Sequence, residues 1–373
     1  MCELSNTIVK YRMPASKSKM INSTVLASVT FLLLLPNPAY SQQPANPIRV
    51  NTSATQFLGA QKSRNDQNIL LSGAEGHIGN TYYQIYADVC QKTNPTDEAC
   101  STFLANAIAV ETLDPTLVDD YYNPPKMFCN GLKGGRVHMA NLVPTGGNAG
   151  ALWYVELGSC DGFPVFEQNG CPVAAGVATA TAPASGQPSC IVMPGFWDTK
   201  HEPQFGATAA IGPEPDGYIY LFGSLDANAP GANLSDVYVA RVLPGDVTNL
   251  GEYQYWDGTA FTSTRIIDPV FNGTYDRPSV LQGVSVGSVF YNAYYKKYIA
   301  LSAPGGNQLV AYAASSPQGP YSAGVQIWSN STIGGLYIPI GLPARDTSGQ
   351  TLVVDLSQYG PNNIQVVLKL FFE

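Results

Sequence analysis

The sequence predicts an all-β protein, a five-bladed β-propeller. Three observations carry this. Short runs rich in aromatic and β-branched residues recur along the chain, each bounded by Gly, Pro, Asn or Asp. The runs come in pairs, an aromatic strand followed after a loop by one ending in Ala or Arg-Val. GYIYLFG (217–223) leads to VYVARV (237–242), and KYIALS (297–302) leads to LVAYA (309–313). The pairs repeat in blocks of about 50–70 residues, the length of a four-stranded blade with its turns. A β-sandwich is the competing architecture.

In chain order, Lys10, Arg12, Lys17 and Lys19 form a basic run ahead of an apolar run at 25–35 and a small-residue cleavage site at Ala39-Tyr40-Ser41. This pattern is a secretory signal peptide covering 1–41, too short in its apolar part to span a bilayer. A start at Met20 gives a more ordinary signal, so the first 19 residues read as an extension of the gene annotation. Residues 42–64 form a polar lead-in, its Pro-rich part at 42–56 expected to be disordered. The propeller is expected over 65–373, with blades near 65–125, 130–195, 200–265, 275–330 and 335–373. One helix is expected at 97–110 (DEACSTFLANAIAV), with acids in its first turn. In 308–328 (QLVAYAASSPQGPYSAGVQIW), a middle strand and an outer strand flank a corner. There Pro317 and Pro320 fix φ, and Gly319 tolerates a turn conformation closed to other residues.

Charge excludes some functions. The formal net charge is −8, and charged residues are only 12% of the chain. Four basic residues leave with the leader, making the remainder more acidic, which excludes a nucleic-acid binder. A second long apolar run is absent, so no membrane anchor is indicated and a monomer is expected. Of seven cysteines, Cys2 lies in the leader and six lie between Cys90 and Cys190. An even number in a secreted chain predicts disulfides, with Cys90–Cys100 and Cys160–Cys171 as local pairings. The spacing fits no zinc template. Asn51, Asn233, Asn272 and Asn330 are glycosylation sequons.

Ala314-Ser315-Ser316-Pro317-Gln318-Gly319-Pro320-Tyr321 resembles a corner of five-bladed glycoside hydrolases such as arabinanases, xylosidases and fructosidases. More of the chain resembles the secreted family called domain of unknown function 4185. GNTYYQIYADV (79–89) is similar to that family's first blade, with Asp88 at its Asp and Ala87 and Val89 in place of Gly and Thr. Phe205-Gly206-Ala207 with GYIYLFGS is similar to its third blade. VYVARV with YQYWDG (253–258) is the nearest match, and 285–298 and Leu356-Ser357-Gln358-Tyr359 resemble the last two blades. The resemblance implies a five-bladed propeller with a carbohydrate cleft at its axis. It implies no cofactor beyond an axial cation, common in such propellers.

Glycoside hydrolysis needs two carboxyl groups flanking the scissile bond. Glu75 in SGAEGHIG (72–79) is expected to begin the inner strand of blade one. Glu202 in WDTKHEPQFGA (197–207) is expected to open that of blade three, with Asp198 four residues before it. By analogy with five-bladed hydrolases, Glu202 is the general acid, and Glu75 or Asp88 the base or nucleophile. The Arg-Asp pair at the start of the first blade in that family falls nearest Arg64 and Asp66, displaced. His77, His138 and His201 are candidates for sugar-hydroxyl contacts, and Trp197 for stacking on a sugar face. Trp256 is read as structural. The leading expectation is hydrolysis of an extracellular polysaccharide, with arabinan among the candidates. The alternative is a non-catalytic propeller that binds carbohydrate or a surface partner.

Overall fold

The computed structural model describes residues 43–64, 68–91, 102–121, 127–130, 136–139, 141–158, 171–199, 201–225, 236–267, 278–330, 334–358 and 364–373. Strands β1 (Gln56–Ala60) and β2 (Lys62–Ser63) come first. Blade one holds β3 (Asn68–Ile78), β4 (Thr81–Gln91), β5 (Thr102–Glu111) and β6 (Leu117–Asp120), with β2 parallel to β6 at its edge. Blade two holds β7 (Arg136–Met139), β8 (Val143–Gly146), β9 (Ala149–Gly158), β10 (Cys171–Thr181) and β11 (Ser189–Trp197); β7 and β8 both pair with β9. Blade three holds β12 (Ala209–Ile211), β13 (Ile219–Ser224), β14 (Val237–Val242), β15 (Gln254–Trp256) and β16 (Phe261–Thr262). Blade four holds β17 (Val286–Asn292), β18 (Lys297–Ser302), β19 (Gln308–Ala314) and β20 (Val325–Ser329). Blade five holds β21 (Leu336–Leu342), β22 (Thr351–Gln358) and β23 (Ile364–Phe371), and its fourth strand is β1.

The fold is therefore a five-bladed propeller and not a sandwich. Its ring is closed by the N-terminal strand: Gln56 faces Lys369 and Ala60 faces Val366, antiparallel. This corrects the lead-in expected at 42–64, which over its described residues belongs to the fold. Ile48 is fully buried, and the Asn46 side chain donates to the carbonyls of Ala311 and Ala323. The segment is polar because an edge strand buries one face and hydrogen-bonds along one side.

The helix expected at 97–110 is also corrected. From Thr102 the chain is β5, and 97–101 lie outside the described residues. Alanines that favour a helix in isolation serve here as small residues in a sheet buried on both faces, with Ala107 and Ala109 at 2% and 0% exposure. Cys129 pairs with Cys190, tying the chain before β7 to β11. Both local pairings expected from spacing involve cysteines outside the described residues.

Four of the five seams between blades hold continuous apolar clusters. Ile85 packs against Leu152 between blades one and two, and Trp153 lies with Tyr255 between two and three. Phe222 lies with Ala300 between three and four, and Leu301 with Val354 between four and five. The seam between blades five and one differs. It carries small clusters around Tyr86 and Val353 and a buried network of Gln61, Gln84, Gln365 and Asp355. Near the axis the inner strands approach closely. A Cβ at Gly76 would lie 2.1 Å from the Leu142 carbonyl, so only glycine lets β3 reach blade two there.

Candidate functional site

All five blades contribute to a cavity of about 180 Å³ at the axis. Ala74 comes from blade one, Asn141 from blade two, Thr208 from blade three, Gly287 from blade four and Ile340 from blade five. Ile338 also lines it, on a bulge of β21 where its φ is +47°, a left-handed conformation unfavourable for a β-branched residue. Of the ten lining residues, only Asn141 and Thr208 have polar side chains, and none is a carboxylate.

Glu75 explains why. Successive side chains of a strand point to opposite faces. In β3, Ala74 faces the axial cavity and Glu75 turns toward blade five. Glu75 lies near the end of its strand rather than at the start, and only its backbone carbonyl meets the axial lining, accepting from Asn141 Nδ2 at 3.0 Å. Glu75 is 5% exposed, and its carboxyl accepts from the Ala344 amide at 3.3 Å.

Around Glu75 the structure gathers residues that sequence reasoning did not single out. Glu111, at the end of β5, neighbours the Glu75 carboxyl and ion-pairs with Arg345 (Nε–Oε2 3.0 Å). Oε1 of Glu75 and Oε1 of Glu111 are buried without a hydrogen-bond partner, and two neighbouring buried carboxyls resist ionising together. Burial, then the charge of Glu111, pushes the Glu75 carboxyl well above the usual carboxylate range. Burial raises Glu111 to about 7 against the pull of Arg345. Burial likewise raises Asp355 to about 7, opposed first by its hydrogen bond from Gln365. Three buried acids thus share one guanidinium. Their sequence separation hid the cluster, since only the fold brings residues 75, 111, 345 and 355 together.

Glu202 is committed elsewhere. It is 1% exposed, both its oxygens take hydrogen bonds from Arg265, Oε1 from Nε at 2.8 Å, and Oε2 also accepts from the Asp198 amide at 2.8 Å. The carboxylate clamps the 198–202 turn to the chain after blade three and does not line the axial cavity. Nor does it open the inner strand, since β12 begins seven residues later at Ala209. Asp198 pairs with His201 (Oδ2–Nδ1 2.7 Å) on the outside of the same turn.

Trp197 is a core residue, which corrects its expected place in a cleft. It is 3% exposed, packs edge-on against Phe196, Phe205, Tyr253 and Tyr255, and donates from Nε1 to the Phe205 carbonyl at 3.2 Å. A ring so enclosed cannot stack on a sugar. His77 lies at the end of β3, where Nδ1–H donates to the Gly79 carbonyl at 3.1 Å and its ring sits 5.3 Å from exposed Tyr82. Asp88 lies in β4 and His138 in β7, and the side chains of both fall outside the described residues, as does Asp66. Among the described residues no group of three or more His, Cys, Asp or Glu side chains is placed to hold a metal.

The fold defines a class, that of five-bladed propellers, an architecture shared with solved glycoside hydrolases. The GH43_1 enzyme from Xanthomonas citri superposes with a TM-score of 0.50 at 13% identity, covering 85% of this chain and 91% of that one. The same enzyme solved with xylose gives 0.51 at 12% identity over 85% and 90%. A Bacteroides ovatus protein classed provisionally as a hydrolase gives 0.57 at 15% identity over 85% and 87%. No curated protein sequence matches the chain significantly. The chain belongs to the family described as domain of unknown function (DUF4185), whose model matches residues 177–368.

Proposed function

We propose that this protein is a secreted propeller that binds an extracellular polysaccharide without cleaving it at its axis. One observation carries the reading: among the described residues, none that lines the axial cavity, where the hydrolase resemblance implies a cleft, is a carboxylate. Hydrolysis by the usual routes needs two carboxyl groups about 5–10 Å apart across the bond. Neither Glu75 nor Glu202 lines this cavity, and Glu202 is neutralised by Arg265. Carbohydrate as ligand is supported by the shared architecture and by the xylose complex of the X. citri enzyme.

Hydrolysis is the second reading, favoured by the raised proton affinity of Glu75 and Glu111, a property expected of a general acid. Both readings are tested by incubating the purified protein with arabinans, xylans, fructans and galactans. Binding and reducing-end release are measured together, alongside Glu202→Gln and Glu111→Gln. The expected result is binding without release. Release that disappears in Glu202→Gln, with the fold intact by circular dichroism, would overturn the non-cleaving reading and return Glu202 to the role of general acid. Release that disappears only in Glu111→Gln would establish hydrolysis at the seam of blades five and one.

A further inference from the structure

Two cavities open on either side of the Pro343–Arg345 turn that follows β21, and Ala344 lines both. The larger, about 600 Å³, lies between blades one and five and reaches Tyr82, Thr112, Glu111 and Arg345. The smaller, about 270 Å³, lies between blades five and four and reaches Tyr291 and Asp346. We propose that they form one groove that binds a neutral polysaccharide chain, with Tyr82 and Tyr291 as stacking platforms at its two ends. The proposal rests on the saccharide-binding reading above and assigns it a place away from the axis.

The aromatic rings are the first argument. Tyr82 and Tyr291 are 39% and 45% exposed, among the few large aromatics of the described residues that are, with Phe57 and Tyr294. Each is held by a neighbour, Tyr82 by the His77 ring at 5.3 Å and Tyr291 by the Tyr298 ring at 5.2 Å. A fixed tyrosine with a free face loses little entropy on meeting the apolar face of a pyranose or furanose.

Polar groups between the platforms are the second argument. Arg345 has an 11% exposed side chain whose Nη2 lacks a hydrogen-bond partner, although it lines the larger cavity. A buried donor left over in this way is satisfied by a ligand oxygen or by water. Glu111 and the Thr112 side chain stand beside it. The glycan is neutral because Arg64 and Arg345 are already paired with Asp119 and Glu111, Asp346 adds a further acid along the groove, and the whole chain carries −8. A polyuronate would meet net repulsion there.

Affinity electrophoresis of the purified full-length protein in gels containing arabinan, xylan, galactan or polygalacturonate tests this. Retardation by at least one neutral polymer is expected, with Tyr82→Ala and Tyr291→Ala each weakening it about three- to tenfold. Both residues are exposed, so the variants are expected to fold, which circular dichroism checks. Equal retardation of wild type and both variants would overturn the groove while leaving saccharide binding intact, as would loss of retardation only in the axial variant Asn141→Ala. Retardation by polygalacturonate alone would overturn the neutral ligand. A wild-type protein retarded by no polymer would overturn the binding reading and the groove with it.

Discussion

The Gln61 side chain donates from Nε2 to Oδ2 of Asp355 at 3.1 Å, across 294 residues of sequence. Gln84 and Gln365 donate to the same oxygen at 2.8 and 2.9 Å, and Tyr86 closes the network onto Gln61. The ring is thus shut by polar bonds converging on one buried carboxylate, where the other four seams rely on apolar packing. Buried polar networks are specific because each member needs its partner at a defined place.

This seam makes stability depend on pH. The acids Glu75, Glu111 and Asp355 face one another and Arg345, and all three hold protons more tightly than in an unfolded chain. Their contribution is fully present below about pH 4, near the unfolded values, and is lost as pH rises toward 7, where Glu111 and Asp355 ionise in the fold. The melting temperature is expected to fall by at least about 5 °C between pH 5 and pH 8. Glu75→Gln is expected to flatten that dependence in thermal melts. A melting temperature that rises over the same interval would contradict the raised proton affinity of the three acids.

The clamp at Glu202 is structural. Glu202→Ala leaves Arg265 and the Asp198 amide without their acceptor and is expected to lower stability by about 3 kcal/mol. Urea titration measures it. Arg265→Ala should give a similar loss, with a double variant no worse than either, since both remove one interaction.

Removing the Cys129–Cys190 bridge releases a loop of 61 residues. The double variant Cys129→Ser/Cys190→Ser is expected to lose about 4 kcal/mol, the chain-entropy value for such a loop. Equilibrium unfolding in guanidinium chloride reads the difference directly.

Deleting residues through Ala60 removes β1 and bares the outer edge of β23. The truncated chain is expected to bind a hydrophobic dye and to lose near-ultraviolet circular dichroism while keeping strand content. A sharp, native-like melt would show that blade five stands on three strands.

The blades were legible because strands such as GYIYLFG and VYVARV carry their burial in aromatic and β-branched residues, and these became β13 and β14. The corner at 314–321 was legible too. Gly319 has a φ of +83°, and Tyr321 is buried with its hydroxyl donating to the Pro317 carbonyl at 3.1 Å. β1 escaped because QFLGA lacks alternation, and its partner lies at the other end of the chain. Glu75 was found from its surroundings in the sequence, but Glu111, Arg345 and Asp355 were not. Nothing local in LANAIAVE, LPARD or TLVVDL marks an acid or base whose meaning depends on a neighbouring blade. Trp197 was misplaced because an aromatic beside acids looks the same in sequence whether it lines a cleft or fills a seam.

Among the described strands, the one that completes blade five is the first in sequence, and its partner β23 is the last. The pairing that closes the ring therefore needs strands from opposite ends of the described fold to meet. Ring closure is consequently a long-range event, slow by its contact order.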